Sequence, residues 1–249
     1  MSRQKFMDEK DYQRILARHL VEDNGFRQRT NADFCRLYAM DKGLLIEFLE
    51  VSQPDAMKEL LRIYKSKRDE TIAQTVNLSC VSSGGSLIQK LKHGVSIGKI
   101  HLDLFNPLPD SPLEKGVAAA WKKNIFSVAR EVWASDGEII DHVIFVNGLA
   151  VATVEMKCEA SGQTYNDAIR QYRTERDPET RLLRWKAGAL VHFAMDMNEV
   201  WMTTKLEGRS THFIPFNRGN GEGVEAGKGN PPPAKGDFAT EYMWTDILA

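Results

Sequence analysis

At 249 residues the chain suits one large domain or two small ones, and it can bury well over half of its unfolded surface. Charged residues make up 27% and the formal net charge is −1, which excludes a globally basic nucleic-acid binder; any such contact has to come from a local patch. Three widely spaced cysteines and no Cys-x-x-Cys speak against a disulfide framework and a structural zinc, the first residues lead into charged residues and not into a signal-peptide core, and no apolar run approaches the roughly 18 residues of a membrane span.

In chain order, Tyr12, Ile15, Leu16, His19 and Leu20 recur at helical spacing, and Asn24-Gly25 supplies a stop. A second helix is expected around Leu44, Leu45, Phe48 and Leu49, broken at Gln53-Pro54, and a third through Met57, Leu60, Leu61 and Tyr64. Residues 82–86 read as a flexible turn, and 97–105 as a strand closed by Asn106-Pro107. A polar, proline-broken loop leads to a strand over 126–133 and then to the hairpin discussed below. Residues 164–176 form a helix ended by Asp177-Pro178, and 188–194 and 200–204 a further strand pair. Residues 218–236, rich in glycine and proline, read as a surface loop, and 242–249 as the start of an amphipathic element with nothing to finish it, as in a fragment of a longer protein. This order of helices, strands, one central helix and more strands predicts an α/β sandwich around a mixed central sheet.

The segment 141–157 carries the chemistry. It reads as a hairpin with Asp141 where it begins and Glu155 and Lys157 where it ends. Glu-x-Lys alone arises by chance about once in a chain this long. Its placement gives it weight: it closes an apolar run that should be interior, where polar groups are costly unless employed, and residues two apart share one strand face. Two carboxylates and an ammonium on adjoining strands are what magnesium-dependent phosphodiester hydrolysis needs. A plain two-residue turn at Asn147-Gly148 sets Asp141 opposite Val154, on the wrong face for Glu155. A three-residue loop with Gly148 as a left-handed bulge pairs Phe145 with Leu149 and sets Asp141 opposite Thr153, diagonal to Glu155; that loop is the expectation here. A surface salt-bridge ladder of the same three side chains is an equal reading on these grounds.

Other candidates are weaker. Gln171, on the helix after the hairpin, could fix ligand geometry or simply be solvated, and Tyr172, Arg173 and Arg176 could meet a DNA backbone or belong to a mixed-charge exposed helix. Glu9 could add a third carboxylate or complement a helix dipole. Pro54-Asp55 and Pro109-Asp110 do not lead into a strand ending in Glu-x-Lys, and Gly94 to Ile100 lacks the spacing and the Ser or Thr of a phosphate loop.

Several ordered segments are similar to one family. They include Phe48-Leu49 with Gln53-Pro54, Asp141 through Phe145-Val146-Asn147-Gly148, Val154-Glu155-Met156-Lys157, Gln171 through Asp177-Pro178, Phe213 through Asn217, and Tyr242-Met243-Trp244. The chain resembles the N-terminal nuclease region of the restriction (R) subunit of type I restriction-modification enzymes. The resemblance implies a restriction-endonuclease-like fold of the PD-(D/E)xK type, one nuclease domain over 1–249, with a helical part at about 8–70, a nuclease core at about 95–215, a loop at 218–237 and, from 238, the start of a connection to a motor region. It implies a Mg²⁺-dependent endonuclease with catalytic Asp141, Glu155, Lys157 and Gln171, the ion held by Asp141, Glu155, the Met156 carbonyl and Glu9. It further implies double-stranded DNA and the modification and specificity subunits as partners, ATP used only in the motor region outside this chain, and a prokaryotic cytoplasmic setting. The chain departs from the family pattern at Ala150, where Pro is common, and at Glu175, where many members place the Tyr that here is Tyr172. Two rivals remain: a non-catalytic domain of the same fold docking DNA or a methyltransferase, and a related nuclease of DNA repair.

Overall fold

A computed structural model of the chain describes residues 8–219, 221, 223, 229–232 and 238–249. Helix α1 (Glu9–Glu22) is followed by the short strand β1 (Arg27–Arg29). Four helices come next: α2 (Lys42–Ser52), α3 (Pro54–Tyr64), α4 (Arg68–Val81) and α5 (Leu87–His93). A small hairpin of β2 (Val95–Ile97) and β3 (Ile100–Leu102) and the helix α6 (Lys115–Trp121) lead to three long strands, β4 (Phe126–Ser135), β5 (Glu138–Val146) and β6 (Leu149–Met156). Helix α7 (Tyr165–Thr174) then connects to β7 (Val191–Met195), β8 (Val200–Thr203) and β9 (Ile214–Pro215).

Seven strands form one sheet in the order β1-β4-β5-β6-β7-β8-β9. It is mixed: β1 runs parallel to β4 and β6 parallel to β7, and the other neighbours are antiparallel. The β6-α7-β7 passage is the crossover that a parallel pair requires. Alternation along the strands sends Val128, Ile144, Val154 and Met156 to one face, against Tyr12, Leu16 and Leu20 of α1. It sends Ala129, Val143 and Phe145 to the other, against Ala168, Ile169 and Tyr172 of α7. A third core gathers α2 to α5 around Leu149 at the hairpin tip. The mixed α/β sandwich expected from the sequence is therefore present. Among the described residues no helix is long and apolar enough to cross a membrane.

Some elements differ from expectation. The strand expected over 97–105 is instead the β2–β3 hairpin, because Gly98 adopts φ +61 and turns the chain between Ile97 and Ile100. The helices α4, α5 and α6 lie where no helix was expected. In α4 the buried positions are Ile72, Ala73, Val76 and Cys80, mostly small residues that blur the apolar stripe; α6 buries no residue fully and so has no stripe to read. The loop expected over 218–237 falls largely outside the described residues. Residues 243–247 form a π-helical turn whose Trp244 stands edge-on to Tyr12 and Phe238, so this segment packs onto α1.

The turn of the β5–β6 hairpin is also different. Val146 pairs with Leu149 across a two-residue turn in which Asn147 (φ +51) and Gly148 (φ +78) are both left-handed. The expected bulge exists, but inside β6: Phe145 pairs with Ala150 and Ile144 with Ala152, so Val151 is the extra residue. Two contacts hold the plain turn in place. A Cβ on Gly148 would lie 2.2 Å from the Asp41 carbonyl oxygen, so only glycine lets the hairpin tip rest on the start of α2. Asn147 is fully buried, accepting from the Ile125 N–H at 2.7 Å and donating to the Leu104 carbonyl at 2.9 Å.

Candidate active site

The bulge at Val151 decides the site. Past it, Val143 pairs with Thr153 and His142 with Val154, which brings Asp141 and Glu155 to facing positions on the α7 side of the sheet. Without the extra residue, Asp141 would face Val154, as the sequence argument required. Asp141 Oδ2 accepts from the Met156 N–H at 2.7 Å, so the acid is turned toward the end of β6. Across the other edge of β5, the pairing skips Glu131, which sits between the Arg130–His142 and Val132–Ile140 pairs with φ +51. A non-glycine residue held in that region stores strain, and here it lies directly across from Asp141.

Glu155 is 0% exposed, which removes the reading of a surface salt-bridge ladder. Its partner is Arg176, whose Nε and Nη2 reach the same oxygen, Oε1, at 2.8 and 2.7 Å. The other oxygen, Oε2, is buried with no hydrogen-bond partner. Lys157, also largely buried, sets its Nζ 3.4 Å from Oε1 of Glu9 on the first turn of α1. Burial, and then the neighbouring Asp141 charge, raise the Glu155 pKa well above the carboxylate range despite Arg176. Burial also raises Asp141, offset in part by the Met156 N–H and the Lys157 charge. Glu9 rises through burial, against the pull of Lys157, and it too feels Asp141. These groups thus form one electrostatic cluster. Among the described residues, however, no three carboxylate, histidine or thiol side chains are gathered to hold an ion; Glu9 stands with Lys157 instead.

Helix α7 is fastened at three points. At its start the Tyr165 N–H donates to buried Asp196 Oδ2 at 2.9 Å, next to a Thr164–Asp167 capping box. In its middle the Tyr172 hydroxyl meets Thr153 Oγ1 at 2.8 Å, which also meets His192 Nδ1 at 2.8 Å. Just past its end Glu138 accepts from the Asp177 N–H at 2.9 Å and the Thr180 hydroxyl at 2.9 Å. Burial lowers His192 to about 3, so it serves that network as a neutral ring.

The structure therefore corrects part of the expected DNA face of this helix. Tyr172 is wholly buried and Arg176 is committed to Glu155, so neither side chain is presented to a ligand backbone. Arg173 is half-buried, its Nε donating to the Thr211 carbonyl at 2.9 Å. Gln171 is also half-buried, and its Oε1 is buried without a partner. Sequence reasoning ran the helix on to Arg176 and gave that residue the wrong partner: α7 ends at Thr174, and nothing in the spacing shows that the chain beyond it folds back over β5. Glu138 and Asp196 gave no signal beyond being acids at strand ends.

No curated protein sequence matches the chain. A family model does: that of the type I restriction enzyme R protein N terminus matches residues 7–211, a span that includes Glu9, Asp141, Glu155, Lys157, Gln171 and Arg176. The chain belongs to the family of type I restriction enzyme R protein N-terminal regions, whose general role is that of a nuclease.

Proposed function

We propose that this chain is the Mg²⁺-dependent endonuclease domain of a type I restriction enzyme R subunit, with a restriction-endonuclease-like fold, hydrolysing phosphodiester bonds of double-stranded DNA. The observation that carries the reading is the facing pair of Asp141 and Glu155 with a buried, unpartnered Glu155 Oε2 and Lys157 two residues beyond. A buried acceptor without a donor is costly, on the order of 1–3 kcal/mol, so a cation-binding role gives it a reason to exist. Mg²⁺ is a hard ion that binds oxygen, keeps several of its waters and typically takes one or two protein carboxylates, so two acids and the Met156 carbonyl fit it without a third side chain.

When bound, Mg²⁺ polarises a phosphoryl oxygen and lowers the cost of forming hydroxide from water. The chain's residues do the rest. Asp141, fixed by the Met156 N–H, and Glu155, fixed by Arg176, hold two oxygens in place before substrate arrives. Lys157 provides positive charge where negative charge develops on the phosphate, and its Nζ is held toward both oxygens of Glu9, at 3.4 and 3.5 Å. Gln171 Oε1 is an acceptor available to orient a ligand water. With Tyr172 and Arg176 internal, contacts to DNA fall to exposed groups such as Arg170 and to Arg173, and address phosphate more than base edges. Recognition of sequence is then left to a specificity subunit, methylation to a modification subunit, and ATP-driven movement to a motor region outside this chain.

Asp141→Ala or Lys157→Ala in the assembled enzyme is expected to lower cleavage by roughly 10²–10³-fold or more, with the melting temperature of the variant chain little changed. Cleavage at the parent rate by either variant would return the domain to a docking role.

A further inference from the structure

We infer that Arg176 is a positioning residue of the ion site: it grips one oxygen of Glu155 and so reserves the other, Oε2, as the oxygen through which Glu155 takes the divalent ion. This inference rests on the reading of the cluster as a cation-dependent nuclease site.

The geometry is unusual for a pair that only balances charge. A guanidinium commonly meets a carboxylate through two parallel bonds, one to each oxygen. Here Nε and Nη2 converge on Oε1 at 2.8 and 2.7 Å. Oε2 has no partner. The cause is a third contact: Nη2 also donates to the Ile139 carbonyl at 2.7 Å, so the fork is divided between β5 and a single carboxylate oxygen. Arg176 cannot easily leave this position. Its side chain is 5% exposed, and the next residue, Asp177, is bound through its N–H to Glu138 Oε1 at 2.9 Å. Lys157 is buried as well, but its ammonium is held more loosely, with Nζ 3.4 Å from Oε1 of Glu9, a side chain that is 27% exposed. Arg176 is thus the cation bound directly to Glu155, whereas Lys157 is paired with Glu9. Compensation of charge alone would have satisfied both oxygens of Glu155, whereas the observed arrangement keeps one in reserve.

The test uses the whole 249-residue chain, with Mn²⁺ as the probe and binding followed by calorimetry and by the Mn²⁺ paramagnetic resonance signal. Arg176→Lys and Arg176→Met are expected to weaken Mn²⁺ binding by about 10–100-fold, the range found when a group that orients a ligand is removed. Glu155→Gln is expected to weaken it as much, and Arg176→Met added to Glu155→Gln to weaken it no further, because the arginine acts through that carboxylate. The double variant also leaves no unpaired buried charge, so it serves if Arg176→Met alone does not fold. Unchanged Mn²⁺ affinity in Arg176→Lys and Arg176→Met overturns the positioning role while the nuclease reading stands. Further weakening in the double variant also overturns it, by showing that Arg176 supports the fold at large. A parent chain that binds no Mn²⁺ overturns the nuclease reading itself.

Discussion

Single residues carry two separate tasks in the β5–β6 hairpin. Asn147 and Gly148, part of the segment most specific to the family resemblance, do no chemistry; they clamp the hairpin tip to α2 and to the chain at Leu104 and Ile125. Asn147→Ala strands two buried backbone groups and is expected to cost roughly 2–4 kcal/mol in denaturant melts, without altering Mn²⁺ affinity in whatever fraction stays folded. Asp141 and Glu155, at the other end, are set against stability. Both have folded-state pKa values above their ordinary ones, so the stability they lend is fully present below the carboxylate range and is lost as pH rises through the folded-state values. Asp141→Asn is therefore expected to stabilise the chelator-treated protein at about pH 8, by roughly 0.5–2 kcal/mol, and to change little at about pH 4. Equal gains at the two pH values in thermal melts would show that charge burial is not the cause. The acids and the lysine were legible in the sequence because a costly polar set ended an apolar strand. The partners Arg176 and Glu9 were visible only as charges, since an ion pair across 21 or 148 positions leaves no local pattern.

At the scale of elements, the site depends on one irregularity and one helix. The need for an extra residue between Asn147 and Glu155 followed from strand alternation alone; its place did not. Whether the surplus residue sits in the turn or at Val151 is settled by the pressure of α2 on Gly148, a contact between segments about a hundred positions apart. Helix α7 was legible from its amphipathic pattern and from Asp177-Pro178, but its three fastenings were not, because Asp196, Thr153 and Glu138 lie on three different strands or strand ends. Glu138→Ala is expected to destabilise the protein by roughly 1–3 kcal/mol and to speed amide exchange at Asp177 well before that of β5. Exchange that rises uniformly over the molecule would mean that this contact is not a local fastening.

At the scale of the molecule, the mixed sheet with helices on both faces was predictable from the order of elements; of the third core, α2 and α3 were legible from Leu44, Leu45, Phe48, Leu49, Met57 and Leu60, whereas α4 was not, since Ala73 and Cys80 blur its apolar stripe. The residues from 238 onward add to the α1 core: Trp244 is 2% exposed and lies against Tyr12, Phe238 and His19. Trp244→Ala is expected to cost about 3–5 kcal/mol in denaturant melts, as for other buried aromatic truncations, and a loss below about 1 kcal/mol would show that this segment merely rests on the surface. The sheet that all this supports has very short margins, β1 with three residues and β9 with two. An outermost strand of that length offers a neighbouring copy almost no open ladder on which to template itself. Copies of this chain at high concentration are then expected to stay separate rather than anneal edge to edge.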